Sequence, residues 1–234
     1  EIDMNTGTGW PFGGPEVSIE DAASKAIFQT YDIEGGQEIV QDINVTDKKQ
    51  QPYSVLSRVM AYDENGRCIN LTSHVRKDKL EWKAPAGKWK VIALYNSKTR
   101  QKVKRAAPGG EGYVMNHLSK TAVKNYLSRF DRAFRSSKTS YPHTFFNDSY
   151  EVYQADWTED FLDQFARRRG YKLEEHFPEF LDENRPEVSR RIVSDYRETI
   201  SDLLLENFTR QWTDWAHKLS LIHISEPTRH AQIS

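Results

Sequence analysis

"HTFFNDSYEVYQADW", residues 143–157, is the stretch on which the reading of this chain turns. It opens with Thr144, Phe145 and Phe146, residues that favour extended backbone, and reaches Asn147 and Asp148 too soon for a helix. Helical periodicity lies on both sides of it. A strand set between helices after a β-rich region reads as βα units, and hence as an α/β sheet or barrel. In such barrels the reactive side chains leave the C-terminal ends of strands. Asp148 and Glu151 fall there, among Phe145, Phe146, Tyr150, Tyr153 and Trp157. Carboxylates ringed by aromatic side chains suit sugar chemistry, because rings stack on the apolar faces of pyranoses. Apolar surroundings can also raise one carboxyl pKa until the group serves as an acid. On pattern alone the two acids read more readily as a cap or ion-pair partner and a solvated loop acid.

Upstream, "SKTAVKNYLSRFDRAF" (119–134) carries an apolar stripe of Ala122, Val123, Tyr126, Leu127, Phe130 and Phe134 behind a Ser119 cap. Downstream, "TEDFLDQFARRRG" (158–170) has acids in its first turn, arginines in its last and Gly170 beyond, the pattern that a helix dipole and its C-cap favour. "PEVSRRIVSDYRETISDLLLENFTRQWTDWAHK" (186–218) predicts one long helix beginning at Pro186.

The first 105 residues have a different texture. Ser18 followed by Asp21 predicts a capped helix start. "SVLSRVMAYDENGRCINL" (54–71) predicts a hairpin turning at Asn65-Gly66. "KLEWKAPAGKWKVIALYNS" (79–97) predicts two strands, the second with Trp89, Val91, Ala93 and Tyr95 on one face. "RQKVKR" (100–105) has no aromatic residue among its bases and reads as a solvated strand edge. Gly7-Thr8-Gly9 is not a dinucleotide loop, since Pro11 and Phe12 stand where its helix would open and no third glycine follows at the needed spacing.

Bulk properties exclude several classes of function. Acids and bases nearly cancel, at a net charge of −1, so nothing electrostatic points to nucleic acid or an anionic membrane. No apolar run is long enough to span a bilayer. The single cysteine, Cys68, rules out an internal disulfide or a cysteine-based zinc site. Metal-site spacings of the H-E-x-x-H or EF-hand kind are absent. No protein partner is implied.

The last stretch, "LSLIHISEPTRHAQIS" (219–234), breaks with the helix before it and resembles a translated sequencing adapter. On that reading the natural sequence is cut near Lys218, and residues 219–234 form an artefactual tail outside the fold.

"GTGWPFGGP" (7–15), "APAGKWKVIALY" (84–95), "VKRAAPGGEGYVMNHLSKTAVKNYLSRFDRAF" (103–134) and "FFNDSYEVYQADWTEDFLDQFARRRGY" (145–171) together resemble glycoside hydrolase family 106, the bacterial α-L-rhamnosidases. The resemblance implies an α/β fold: part of a (β/α)8 TIM-barrel catalytic domain interrupted by a small antiparallel β module. Residues 1–34 would then begin the barrel with its Gly/Pro-rich loop, 35–105 would form the inserted β module, and 106–218 would return to the barrel. It also implies hydrolysis of terminal α-L-rhamnosides with inversion, on a rhamnose-containing oligo- or polysaccharide, with calcium at the site and a periplasmic or extracellular location. Glu151 becomes the candidate general acid. Trp10, Asn116, His117, Asn147, Asp148, Tyr150 and Trp157 become candidate substrate-binding residues. Asn116 stands where the family pattern leads one to expect an acid, which argues against a base or metal ligand at that position. The second carboxylate of an inverting pair is expected outside the chain. Two other readings stay open: a β-galactosidase-like barrel glycosidase, and a non-catalytic carbohydrate-binding module.

Overall fold

Asp3–Asn5 (β1) pairs in parallel with a strand far along the chain, Thr144–Asn147 (β11), with Asp3 opposite Thr144 and Asn5 opposite Phe146. This computed structural model describes residues 2–147, 150–219 and the backbone of 222–225. The backbone of Ile222–Ser225 (β12) runs parallel to β11 on its other side, pairing Thr144 with Ile222 and Asn147 with Ser225. Four residues of the adapter-like stretch therefore have strand backbone.

The strands between these are Gly13–Gly14 (β2), Ser24–Glu34 (β3), Glu38–Asp42 (β4), Val55–Asp63 (β5), Cys68–Asn70 (β6), Val75–Arg76 (β7), Lys79–Lys83 (β8), Lys88–Lys98 (β9) and Tyr113–Val114 (β10). The α-helices are Lys120–Ser137 (α1), Phe161–Arg169 (α2), Phe177–Phe180 (α3), Glu187–Leu203 (α4) and Gln211–Lys218 (α5). The chain divides into two compact units, and α4 crosses the division between Thr199 and Ile200.

One unit comprises Glu1–Lys25, Lys98–Thr158 and Ile200–Ser234. It holds the parallel strands and the antiparallel pair β2–β10. That pair requires glycine: a Cβ on Gly13 would sit 2.3 Å from the Tyr113 carbonyl oxygen. The α1 stripe packs as its periodicity predicts, with Ala122, Val123, Tyr126, Leu127 and Phe130 buried and Ser119 Oγ accepting from Ala122 N–H at 3.3 Å. Its core also takes in Phe12, Phe145, Phe208, Trp212 and Trp215. Burying rings of this size contributes about 1.5–3 kcal/mol apiece. Polar tips are satisfied: Trp215 Nε1 donates to Asp131 Oδ1 at 2.9 Å, and Tyr126 Oη reaches the carbonyls of Thr6 (2.5 Å) and Gly13 (3.1 Å).

The other unit comprises Ala26–Ser97 and Glu159–Thr199. Its sheets run β3-β9-β5-β6 and β4-β8-β7. The hairpin turn forms where Asn65-Gly66 predicts it, with Gly66 at φ +80° and Asp63 Oδ1 accepting from the N–H groups of Asn65 (2.9 Å) and Arg67 (2.8 Å). Trp89, Val91, Ala93 and Tyr95 share one buried cluster. The strands β8 and β9 lie in different sheets, β8 against β4 and β9 against β5. Residues 159–199 pack within this unit: Phe28 meets Phe177 (5.2 Å between centroids) and Phe180 (5.7 Å), and Tyr62 Oη donates to the Glu174 carbonyl.

Two further expectations are corrected. No helix follows Ser18. Its Oγ does accept from Asp21 N–H at 3.3 Å, but β3 begins at Ser24, where alternating Ile27, Gln29 and Tyr31 favour a strand. The long helix from Pro186 is not uniform either. Between α4 and α5 the chain takes a π-helical course over Leu204–Arg210, which widens the turn and buries Asn207 and Phe208.

Candidate active site

The strand β11 ends at Asn147, which is half-buried beside Ser225 of β12. Asp148 lies outside the described residues. The chain resumes at Tyr150 and Glu151, both half-buried, four residues or fewer beyond the strand. On the neighbouring strand, Asn5 Oδ1 turns back to accept from Gly7 N–H at 2.7 Å. Trp212 Nε1 reaches Thr6 Oγ1 at 3.3 Å, so the loop after β1 is fixed from below.

His117 underlies this edge. It is 3% exposed, and its Nδ1–H donates to the Met115 carbonyl at 2.9 Å, which leaves Nε2 with the lone pair. Its ring meets Phe208 at 4.5 Å and Tyr150 at 5.0 Å, both edge-on. Burial lowers its pKa to about 4, against the pull of the Met115 bond, so the imidazole is neutral near pH 7. Burial also raises the Tyr150 phenol, with the Asp156 carboxylate adding to the effect, and the hydroxyl stays protonated. The neutral pair can shape a wall or donate a hydrogen bond but adds no charge.

Asn116 and Trp157 come together, but inward. Asn116 is 1% exposed, its Nδ2 donates to the Trp157 carbonyl at 3.1 Å, and its Oδ1 accepts from Leu118 N–H at 3.1 Å. Trp157 is also 1% exposed and offers no free face for a sugar. Burial accounts for both: the amide satisfies the Trp157 carbonyl, while the Trp157 N–H donates to the Ser24 carbonyl at 3.3 Å. Trp10 is half-buried, bridged through its backbone to Lys104, and joined to Pro11 by a cis peptide bond.

Residues 101–104 make contacts that the sequence did not announce. Gln101 Nε2 donates to the Glu151 carbonyl at 2.9 Å, and its Oε1 accepts from Tyr153 N–H at 2.8 Å. Lys104 Nζ is 3.1 Å from Tyr153 Oη and 4.4 Å from the ring centroid, while Lys102 Nζ lies 3.3 Å over Tyr113. The 100–105 run thus has aromatic partners after all. They come from elsewhere in the chain, which is why the local pattern hid them.

A cavity of about 260 Å³ against α1 is lined by Glu16, Asp21, Met115, Asn125, Tyr126 and Arg129 among others, and neither Glu151 nor Asn147 borders it. Among the described residues no three His, Cys, Asp or Glu side chains converge as a metal site.

A profile of the α-L-rhamnosidases, glycoside hydrolase family 106, matches residues 45–234. The chain belongs to glycoside hydrolase family 106. The match continues through the adapter-like residues to the last position. A curated relative in Formosa agariphila, provisionally named a β-glucuronidase, is 27% identical over 97% of this chain. The solved structure of a rhamnosidase from Novosphingobium sp. PP1Y shares its fold, with a TM-score of 0.69 over 92% of the chain at 16% identity. The chain spans 23% of the length of that relative and 38% of the solved rhamnosidase.

Proposed function

We propose that this chain supplies one side of the active site of an enzyme that cleaves terminal α-L-rhamnosides, with Glu151 as the general acid. Family membership supports the reaction class. The observation that supports the residue assignment is that Glu151 follows by four positions the last residue of β11, a strand paired in parallel with β1 and β12. Three parallel strands, with α1 leading into β11 and helices between β11 and β12, agree with part of a (β/α)8 barrel, the fold in which that strand end is the reactive one.

The mechanism follows from the geometry of inversion. One carboxyl protonates the glycosidic oxygen while a second carboxylate, on the opposite face of the sugar, activates water. The two stand about 6.5–9.5 Å apart to admit that water. Asp148 and Glu151 follow the same strand within three positions, so they cannot take opposite faces. Glu151 is therefore the acid, Asn147 and Asp148 approach the sugar's hydroxyls, and the base comes from outside this chain. Tyr150 and His117, both neutral, form the wall behind the acid.

The test is made in a longer polypeptide that contains this chain. Glu151→Gln should lower turnover of a natural rhamnoside by roughly 10²–10⁴-fold, and that of an activated aryl rhamnoside much less, because its leaving group needs little protonation. Unchanged turnover of the natural substrate would remove Glu151 from the mechanism. Since a relative carries a β-glucuronidase name, the aryl panel should include β-glucuronides and β-galactosides beside α-L-rhamnosides. Preference for either would overturn the substrate assignment. Sugar binding that survives joint loss of Asp148 and Glu151, with no hydrolysis by the parent, would favour a binding module.

A further inference from the structure

The side-chain amide of Gln101 spends both its ends on one loop. It donates to the carbonyl of residue 151 and accepts from the N–H of residue 153, skipping 152. A residue in a parallel β-ladder bonds its neighbour in the same way. The amide thus substitutes for a strand beside a segment that belongs to no sheet. Val152, between the two bonds, packs onto Val103 and Val114.

Gln101 is itself held. Its carbonyl accepts from Val114 N–H of β10 at 3.0 Å, and its N–H donates to Thr99 Oγ1 at 3.3 Å. The next residues bridge to Tyr113 and Trp10, so the clamp is anchored on two sides. Such bracing is more than a solvent-facing loop requires, since water would satisfy the same two backbone groups.

We propose that Gln101 is a positioning residue for Glu151, fixing the backbone that carries the acid so that its carboxyl keeps one orientation toward the glycosidic oxygen. The inference rests on the reading of Glu151 as general acid. A proton donor must come within about 3 Å of its target, and a displacement near 1 Å can cost roughly 10²-fold in rate.

The test uses Gln101→Ala, Gln101→Glu, Glu151→Gln and the double variant Gln101→Ala/Glu151→Gln in the longer enzyme. Gln101→Glu keeps an acceptor for Tyr153 N–H but sets a carboxylate oxygen against the Glu151 carbonyl. It carries the comparison if Gln101→Ala does not fold. On a natural rhamnoside, either Gln101 variant should lower kcat by about 10–100-fold, with KM near the parent value. An activated aryl rhamnoside should lose only about threefold. In the Glu151→Gln background the Gln101 change should cost nothing further, because two groups acting as a unit are not additive. Equal loss on both substrates, or an undiminished loss in the Glu151→Gln background, overturns the role of Gln101 while Glu151 stands. Parent-like turnover of the natural substrate by Glu151→Gln overturns both.

Discussion

The imidazole of His117 stands edge-on to Phe208, their centroids 4.5 Å apart, and this contact joins the loop before α1 to the π-helical turn between α4 and α5. A regular α-helix through Leu204–Arg210 would carry residue 208 to a different angle about the axis. The widened turn also brings Asn207 Nδ2 to the Leu118 carbonyl at 2.8 Å. The loop before α1 is therefore held by a helical turn about ninety residues later.

His117 should make stability fall in acid. Its folded pKa, about 4, lies below the ordinary 6.5, so the unfolded chain takes up the proton first as the pH drops. The His117 contribution is intact above pH 6.5 and is lost progressively toward pH 4, by about 3 kcal/mol in all. Denaturation at a series of pH values should show that slope in the parent and a flatter one in His117→Gln. An NMR titration placing His117 near 6.5 would contradict the argument.

Asn207→Ala should cost about 1–3 kcal/mol, because the Leu118 carbonyl loses its donor in a buried setting. Asn207→Asp should be at least as harmful, since a carboxylate facing a carbonyl repels it. Chemical denaturation of the two variants checks this. Parent-like stability of both would mean that the carbonyl finds another donor.

Two glycine substitutions should differ for steric reasons. A Cβ at Gly112 would lie 1.9 Å from the Gly14 carbonyl oxygen, so Gly112→Ala has to push β2 and β10 apart. Gly109 has φ +81° and nothing within 4 Å, so Gly109→Ala meets only the backbone strain of a left-handed residue, about 1–2 kcal/mol. Melting measurements should rank Gly112→Ala well below Gly109→Ala. The reverse order would show that the β2–β10 contact yields easily.

Tyr153 should matter for extended substrates. It is 55% exposed, two residues from Glu151, and steadied by Lys104. If its ring meets the sugar next to the cleaved one, Tyr153→Ala should raise KM on an oligosaccharide about fivefold, near 1 kcal/mol. An aryl rhamnoside, lacking that sugar, should keep its kinetic constants. Equal effects on both substrates would place the ring outside the substrate's path.

Local chemistry alone determined a good deal of this protein. The α1 stripe, the Ser119 cap, Gly170 at the end of α2 and the turn at Asn65-Gly66 all rest on contacts within a few residues, which spacing and backbone preference reveal. The long motifs likewise carry the family resemblance by themselves, since their order along the chain is specific. Tertiary structure decided what lies beyond local reach. Asn116 serves Trp157 across 41 positions, Gln101 clamps Glu151 across 50, and Lys104 meets Tyr153 across 49. No periodicity encodes such pairs, because each depends on where separate segments pack. The same reason hid the π-helical turn: Leu204–Arg210 is ordinary helical sequence, and only the fit of Asn207 and Phe208 against Leu118 and His117 selects the wider winding.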